Sequence, residues 1–599
     1  MTKQLVCEKC TSLAPEPLLE LLAVLSALPE LAAEYAQSVE SQERIIHMLN
    51  ENGVLLLTSC HGFPEHKGLF LAGTLILGHN IYDGEGWIDG IDIYNGFITH
   101  INDRACGRYL LVNSTEEKIQ VSTDDSGSEP LFLYQNSSGW VLSNSLYCIV
   151  ARIKALGWPL NLNLASLASI FIDHSIGRTL FAPQTIYNEI FLVPLQKGLE
   201  ICRKKKTCQL IPVSESEPPS DKYPSLLVNW FSKWRGILSA ISLRESAHPL
   251  LLDLSGGIDS RMVLSLMLSG ISGSDAKVHT QINSTRDAAI ARSLGSFFGF
   301  DVGHEAPNRP NISVNQQFEK YLVGNLNFYH MPVAPALSAT PRDIFKVNGI
   351  GGEVIRDFYP GTGQDRISKM PRILPNALKR YSDGVSGLLE DAFDMFGVDP
   401  RSPTSMREHY RQLRSRIHGG RRLHEKFKYK FISPLLDKEF RNLSRIENAP
   451  SPQEIYRDVL LYGGGMAFAL HPFDHPKKNF SAAFCRESVF YRSDGQSGCD
   501  GEIEKFCYIR VKGKGGGYDS DWYSGAVEPR KFRSLRERIS YEYTKLMDHR
   551  CDLALPAGFP ELFALQARSC AGKRQKQMRE VIGLSAIAAC LNASSGNKK

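Results

Sequence analysis

Residues 255 to 260 read Ser-Gly-Gly-Ile-Asp-Ser and follow directly on an apolar run, Leu at 250, 251, 252 and 254. Those residue types at that spacing can grip a pyrophosphate. The run predicts a buried strand. Ser255, Gly256 and Gly257 then turn the chain with little side-chain bulk, so backbone N–H groups can approach phosphate oxygens. The next segment, 258–269, carries Val263, Leu264, Leu266 and Met267 over the length of a helix. Its N-terminus would aim unpaired N–H groups at the same anion. Asp259 offers a carboxylate suited to magnesium, and Ser255 and Ser260 offer hydroxyls. The loop is not a G-x-x-x-x-G-K-[ST] sequence, which argues against a kinase or motor ATPase.

The elements that must position this loop alternate in type. A helical pattern over 223–243 leads into the strand, and 277–282, 286–298 and 345–348 then read as strand, helix and strand. Alternation of this kind predicts a parallel sheet with helices on both faces, an α/β domain. Past about 370 the chain becomes mainly helical and basic. Before it, 68–150 breaks into short β-like runs, clearest at 107–112, 118–122, 130–134 and 140–143, with a hairpin turn at 136–139. Segments 17–35, 150–157 and 164–173 read as helical. The polar, proline-rich stretch 215–221 is the best linker, so we divide the chain at 1–214, 222–545 and 546–599.

Composition sets bounds. A chain of 599 residues is too long for one core and predicts roughly two to four domains. A net charge of +5 over that length carries little information, and nucleic acid is not the expected partner. No apolar run reaches the length of a membrane span, and the N-terminus lacks a signal-peptide core, so a cytoplasmic protein is expected. The 13 scattered cysteines fit reduced thiols, and the lone pair Cys7 and Cys10 cannot fill a tetrahedral zinc shell.

The loop at 255–260 resembles the PP-loop of the ATP pyrophosphatases, which cleave ATP to AMP and pyrophosphate and leave an adenylated substrate. Two further segments resemble asparagine synthetase-like enzymes. Thr280, Asp287, Ala291, Leu294, Gly299 and His304 are similar to their second strand and helix, and 346–353 (Lys-Val-Asn-Gly-Ile-Gly-Gly-Glu) to their second phosphate-side loop. Residues 431–437 look like a later P-F-L-D segment. The stretches 124–134, 140–143 and 192–198 are similar to the family's partner, a class II glutamine amidotransferase domain. The resemblance implies an N-terminal Ntn-like αββα sandwich. It implies next a PP-loop, adenine nucleotide α-hydrolase-like domain with a helical C-terminal part.

What the resemblance implies for chemistry is an ATP-dependent ligase that adenylates a carboxylate and passes the acyl group to ammonia or an amine. ATP and Mg2+ are the implied cofactors. The N–H groups of Ser255, Gly256, Gly257, Ile258, Asp259 and Ser260 would hold pyrophosphate, with magnesium on Asp259 and Glu353. Leu254, Ile282 and Gly349 would border adenine and ribose. A late lysine commonly completes the family's site, and Lys514, then Lys512, are the candidates in a glycine-rich loop. Arg356, Asp357 and Tyr359 are candidates for lining an acceptor pocket. The acyl donor would be a small molecule or peptide bearing a carboxylate, and the oligomeric state stays open, a homodimer included.

Two departures alter that expectation. Residue 2 is Thr where an active amidotransferase has its nucleophilic Cys, so the N-terminal domain is expected to be inactive. Ile350 stands where the family places Glu or Tyr for proton transfer, and Val354 replaces an acidic residue, which puts asparagine itself in doubt as product. Glutamine-dependent asparagine synthase and a non-catalytic ATP-binding scaffold are the competing readings. Elsewhere, Gly463 to Gly465 reads as a hinge or turn. The basic stretch 411–430, with His418 and His424, reads as a solvated face, and His471 and His475 as loop residues.

Overall fold

The computed structural model describes residues 21–26, 48–50, 53–57, 68–88, 105–213, 222–243, 250–271, 277–280, 285–304, 344–416, 430–498 and 503–512, apart from short breaks within 68–213 and at 495. The expectations for Cys7, Cys10, Ile282, His418, His424, Lys514 and 546–599 fall outside these residues.

Five short strands form a wholly parallel sheet: β1 Leu251–Asp253, β2 Lys277–Thr280, β3 Val302–His304, β4 Phe345–Val347 and β5 Lys430–Ile432. Their spatial order is β3-β2-β1-β4-β5. Leu250, Leu252 and Leu254 join one core, while Leu251 packs with Phe431 in another, as the two-residue period of a strand requires. Around the sheet lie α1 Tyr223–Ser242, α2 Ile258–Gly270, α3 Thr285–Phe298 and α4 Pro452–Leu470. Gly465 (φ 71°) breaks the helical path of α4, so the glycine run does mark a turn.

The strand order reverses between β1 and β4. At such a switch the chains leaving the two strands diverge, and a crevice opens at their carboxyl ends. The loops leaving β1 and β4 are 254–257 and 348–352, the two segments singled out from sequence.

Among the described residues the N-terminal part supplies most of two further sheets, one of six and one of seven strands, largely antiparallel. Alternation assigns their faces. Leu131, Leu133 and Leu142 meet Leu110, Val112, Ile119 and Val121, so the sheets pack on one another. Phe132, Tyr134 and Val141 point the other way, into a core shared with Met370, Leu389 and Phe393. Those last residues belong to the helices Gly363–Ile373 and Ser382–Phe396. On the seven-stranded sheet, Ile76 and Cys106 share a core with Trp230 and Trp234 of α1.

Three expectations are corrected here. Residues 21–26 form a strand rather than part of a helix over 17–35. Arg411 and Arg416, read as a solvated face, are buried. Finally, Lys512, read as part of a glycine-rich loop, ends the strand Cys507–Lys512, which pairs in parallel with Asn80–Ile88 at the edge of the seven-stranded sheet.

It follows that a fragment ending at residue 221, expressed alone, loses Met370, Leu389 and Phe393 from the core around Phe132 and Tyr134 and keeps only the part built by residues such as Ile153, Trp158 and Leu167. We expect it to bind a hydrophobic dye and to melt without a cooperative transition. A sharp calorimetric transition for the fragment would show that the shared cores are dispensable.

Candidate functional site

The sequence of the first loop explains its shape. Asp253 closes β1 with its carboxylate 3.0 Å from the buried Lys346 ammonium of β4, tying together the two strands at the switch. Leu254 donates its N–H to the carbonyl of His279 on β2 (2.8 Å) and buries its side chain, so it is a packing residue. Ser255 and Ser260 then stitch the loop to the first turn of α2: their hydroxyl oxygens lie 3.0 Å apart, and the Ser255 N–H donates to Ser260 Oγ (3.1 Å). The Gly257 N–H reaches Ser255 Oγ at 3.3 Å. The Gly256 N–H donates to Asp287 Oδ1 of α3 (2.7 Å), and its carbonyl accepts from Asp474 (2.8 Å). A Cβ on Gly256 would come within 2.8 Å of the Asp287 oxygen and 2.9 Å of Asp474 Cβ, so the packing admits only glycine.

Helix α2 starts after Gly257 with no side-chain cap. The N–H groups of its first turn, Ile258 to Ser260, have no helical carbonyl to pair with and present partial positive charge. Against this turn lies the second loop. A Cβ on Gly349 would fall 2.4 Å from the Ser260 nitrogen, and one on Gly352 would fall 2.2 Å from Asp259 Oδ1. Gly351 adopts φ 108°, a left-handed conformation that favours glycine. The loop is braced from β5: Ser433 Oγ donates to the Asn348 carbonyl (3.0 Å) and contacts that of Ile350, and Asn348 Oδ1 accepts from the Ile350 N–H (3.0 Å).

Glu353 follows on a short 3-10 turn, Gly352–Ile355. Its Oε2 accepts from the Gly351 N–H (3.1 Å) and its Oε1 from the Tyr410 hydroxyl (3.0 Å). Burial, then the Glu353 charge, push the Tyr410 phenol well above its ordinary range, so it stays a donor. Asp259 Oδ2 sits 3.4 Å from Arg356, while its Oδ1 is buried with no hydrogen-bond partner among the described residues. Burial pushes the Asp259 carboxyl up to about 6; Arg356 opposes this and Glu353 adds to it.

The structure thus brings Asp259, Ser255, Ser260, Gly349 and Glu353 together. Among the described residues no cluster of three or more His, Cys, Asp or Glu side chains could hold a metal. Two converging carboxylates, one with an orphaned oxygen, fit magnesium, which is commonly held by one or two carboxylates together with substrate phosphates. Lys512 is placed on the strand paired with Asn80–Ile88, in register with Glu85. Asp357 pairs with Arg407 (2.9 Å) and Tyr359 is buried in the core, which removes Tyr359 from the pocket-lining candidates.

Sequence reasoning missed four contributors. Asp287, in the first turn of α3, carried a signal as an acidic residue opening the helix after β2. Tyr410 and Tyr456 (hydroxyl to Gly352 carbonyl, 2.9 Å) carried none, lying far along the chain. Arg261 grips the 471–473 turn through the His471 and Pro472 carbonyls and stacks 3.7 Å over Phe473. His471 and His475 act there as loop residues, with His475 Nδ1 accepting from the Lys477 N–H (3.2 Å).

Fold and site define a mixed α/β protein with antiparallel sheets and a parallel sheet whose switch-point loops carry Asp259 and Glu353. No family model matches the chain, and no curated protein does. Among solved structures it is similar to the allosteric regulatory enzyme of purine biosynthesis, at 11% identity over 57% of this chain and 71% of that one, TM-score 0.20. It is also similar to the glutamine phosphoribosylpyrophosphate amidotransferase from B. subtilis complexed with ADP and GMP, at 10% identity over 61% and 79%, TM-score 0.17. Superpositions this loose carry no argument about fold or function. No described helix is long and apolar enough to cross a membrane.

The raised carboxyl generates a pH prediction. With a folded-state pKa near 6 against 3.8 for an exposed aspartate, the folded chain binds more protons than the unfolded one between those values. Asp259 therefore costs stability as pH rises through that window. We expect Asp259→Asn to be more stable than wild type at pH 8 by about 1–3 kcal/mol in urea unfolding, with the difference shrinking toward pH 4. A variant no more stable than wild type at pH 8 would show that the buried charge is fully compensated.

Proposed function

We propose that the chain is an asparagine synthetase-like, ATP-dependent ligase that activates a carboxylate with release of pyrophosphate and transfers the acyl group to ammonia or an amine. The observation that carries this reading is the meeting of Asp259 and Glu353 beneath an uncapped helix N-terminus at the sheet's switch point. ATP with magnesium would supply a leaving group, AMP, that a bare carboxylate lacks. The chain's residues do the rest. The first-turn N–H groups and the Ser255 and Ser260 hydroxyls would bind the phosphates, and the backbone near Leu254 and Gly349 would border the nucleoside. Asp287 must release the Gly256 N–H for a phosphate oxygen to take its place. Asp259 would hold the cation only with Arg356 displaced, and the Arg356 guanidinium would then be available to the same polyanion. Lys514 or Lys512 would supply further positive charge over the acyl centre.

In this reading the part up to residue 214 is an amidotransferase-like platform, and its two packed sheets are in keeping with that. A second reading is favoured by Ile350, an aliphatic side chain at the loop position where proton transfer is expected: the site would bind ATP without turnover.

One experiment separates them. Full-length protein with Mg-ATP, ammonia and a panel of carboxylic acids is expected to release pyrophosphate, and Asp259→Ala to lower that rate by about a hundredfold or more. Calorimetric ATP binding without pyrophosphate from any acid would favour the silent pocket. Glutamate release from glutamine would instead move the reading to a glutamine-dependent synthase.

A further inference from the structure

Tyr410 belongs to neither loop, yet it holds one of the two carboxylates. It opens a π-helical turn, Tyr410–Arg414, continuing the short helix Ser405–His409. Such turns are rare and frequently lie at functional sites. The ring is fixed on one side by stacking on Phe358 at 4.6 Å, and an edge contact places Tyr359 at 5.8 Å. With the hydroxyl on Glu353 Oε1 and the Gly351 N–H on Oε2, both carboxylate oxygens have a donor that fixes their orientation.

The residues flanking Tyr410 are anchored elsewhere. His409 Nε2 meets the Phe181 carbonyl at 2.7 Å. Gln412 Oε1 accepts from the Leu195 N–H (3.0 Å), and its amide donates to the Gln196 side chain. Arg416 donates to the carbonyls of Gly127 (3.2 Å) and Val193 (2.8 Å). Every one of these partners lies in the N-terminal half. The turn is thus bolted to one half while its first side chain reaches into the cleft of the other.

The geometry points to Tyr410 as a positioning residue that orients Glu353 for a divalent cation, held in register by the N-terminal half through Gln412. This rests on the ligase reading and adds to it a reason for the N-terminal half to be present: it sets the cation site. The hydroxyl acts on the carboxylate and not on nucleotide, so its loss must appear in cation dependence rather than in intrinsic nucleotide contacts.

The test is calorimetric ATP binding to the full chain as magnesium is titrated. Tyr410→Phe keeps the ring and removes only the hydroxyl. We expect its magnesium midpoint to rise about tenfold, the usual range for losing a group that orients a metal ligand. Binding of ATP in EDTA should match wild type. In a Glu353→Gln background the same substitution should change nothing further, because both act through one carboxylate. Gln412→Ala, outside both loops, should shift the midpoint in the same direction by a smaller factor. Wild type that binds no ATP at all overturns the ligase reading and this inference with it. Metal-dependent wild-type binding with an unmoved Tyr410→Phe midpoint overturns the positioning role alone. An unmoved Gln412→Ala midpoint beside a shifted Tyr410→Phe removes the N-terminal half from it. Should Tyr410→Phe fail to fold, the Gln412→Ala midpoint decides.

Discussion

Close approach of two backbones governs this molecule. The loop after β4 can lie against the first turn of α2 only because positions 349 and 352 lack a Cβ, each of which would drive into Ser260 or Asp259. That approach places Glu353 within electrostatic reach of Asp259 and shields Asp259 from water, and together the two effects raise its carboxyl. A larger side chain at either glycine would open the seam, rehydrate Asp259 and separate the carboxylates. The cost of holding like charges in one cleft is tolerable only where something else can neutralise them, as Arg356 does in the free chain. Stability and chemistry pull against one another at that point, as they commonly do at sites built for a charged ligand.

The supports around the seam show how much of the fold serves it. The two indoles of α1 hold the chain that leaves β5: Trp230 Nε1 donates to the Pro434 carbonyl (3.2 Å) and Trp234 Nε1 to Asp437 Oδ2 (2.6 Å). Lys233 pairs with the same Asp437 oxygen at 2.6 Å, so a buried carboxylate is met by a cation and an N–H. Buried charge without such partners would cost several kcal/mol. With 434–437 fixed, Ser433 is placed under the second loop. On the opposite flank, burial lowers the Arg261 guanidinium to about 9, and its contacts with two carbonyls and the Phe473 ring hold Asp474 beneath Gly256.

Local signals in the sequence reached far but stopped at particular residues. The strand–loop–helix unit was legible because apolar runs, two glycines and a helix-length pattern are all local, and β1, α2, α3 and β4 fall where the pattern puts them. The pairing of Asp259 with Glu353 was legible only through resemblance, since nothing in spacing alone joins positions nearly a hundred residues apart. Arg411 and Arg416 were misread because charge reports solvation only when the partners are absent. Here Glu408 and two carbonyls of the N-terminal half satisfy them inside the protein. Residues 21–26 were misread for a related reason. Leu- and Ala-rich composition favours a helix weakly, and antiparallel pairing with Gly53–Leu57 and Gly139–Ser143 overrides it.

The shared cores change what a second half is for. A sheet face such as that of Phe132, Tyr134 and Val141 must be covered, and part of the cover comes from helices that follow the second loop in sequence. Met406, Tyr410 and Leu413, on the short helix Ser405–His409 and the turn that continues it, belong to the same core. Folding of the N-terminal sheets and placement of a carboxylate in the cleft are therefore one packing problem. A half retained for its surface alone could drift in its core without consequence. Here Phe393 and Leu389 share one packed core with Tyr410, whose hydroxyl grips Glu353, so the two halves do not pack independently at this point.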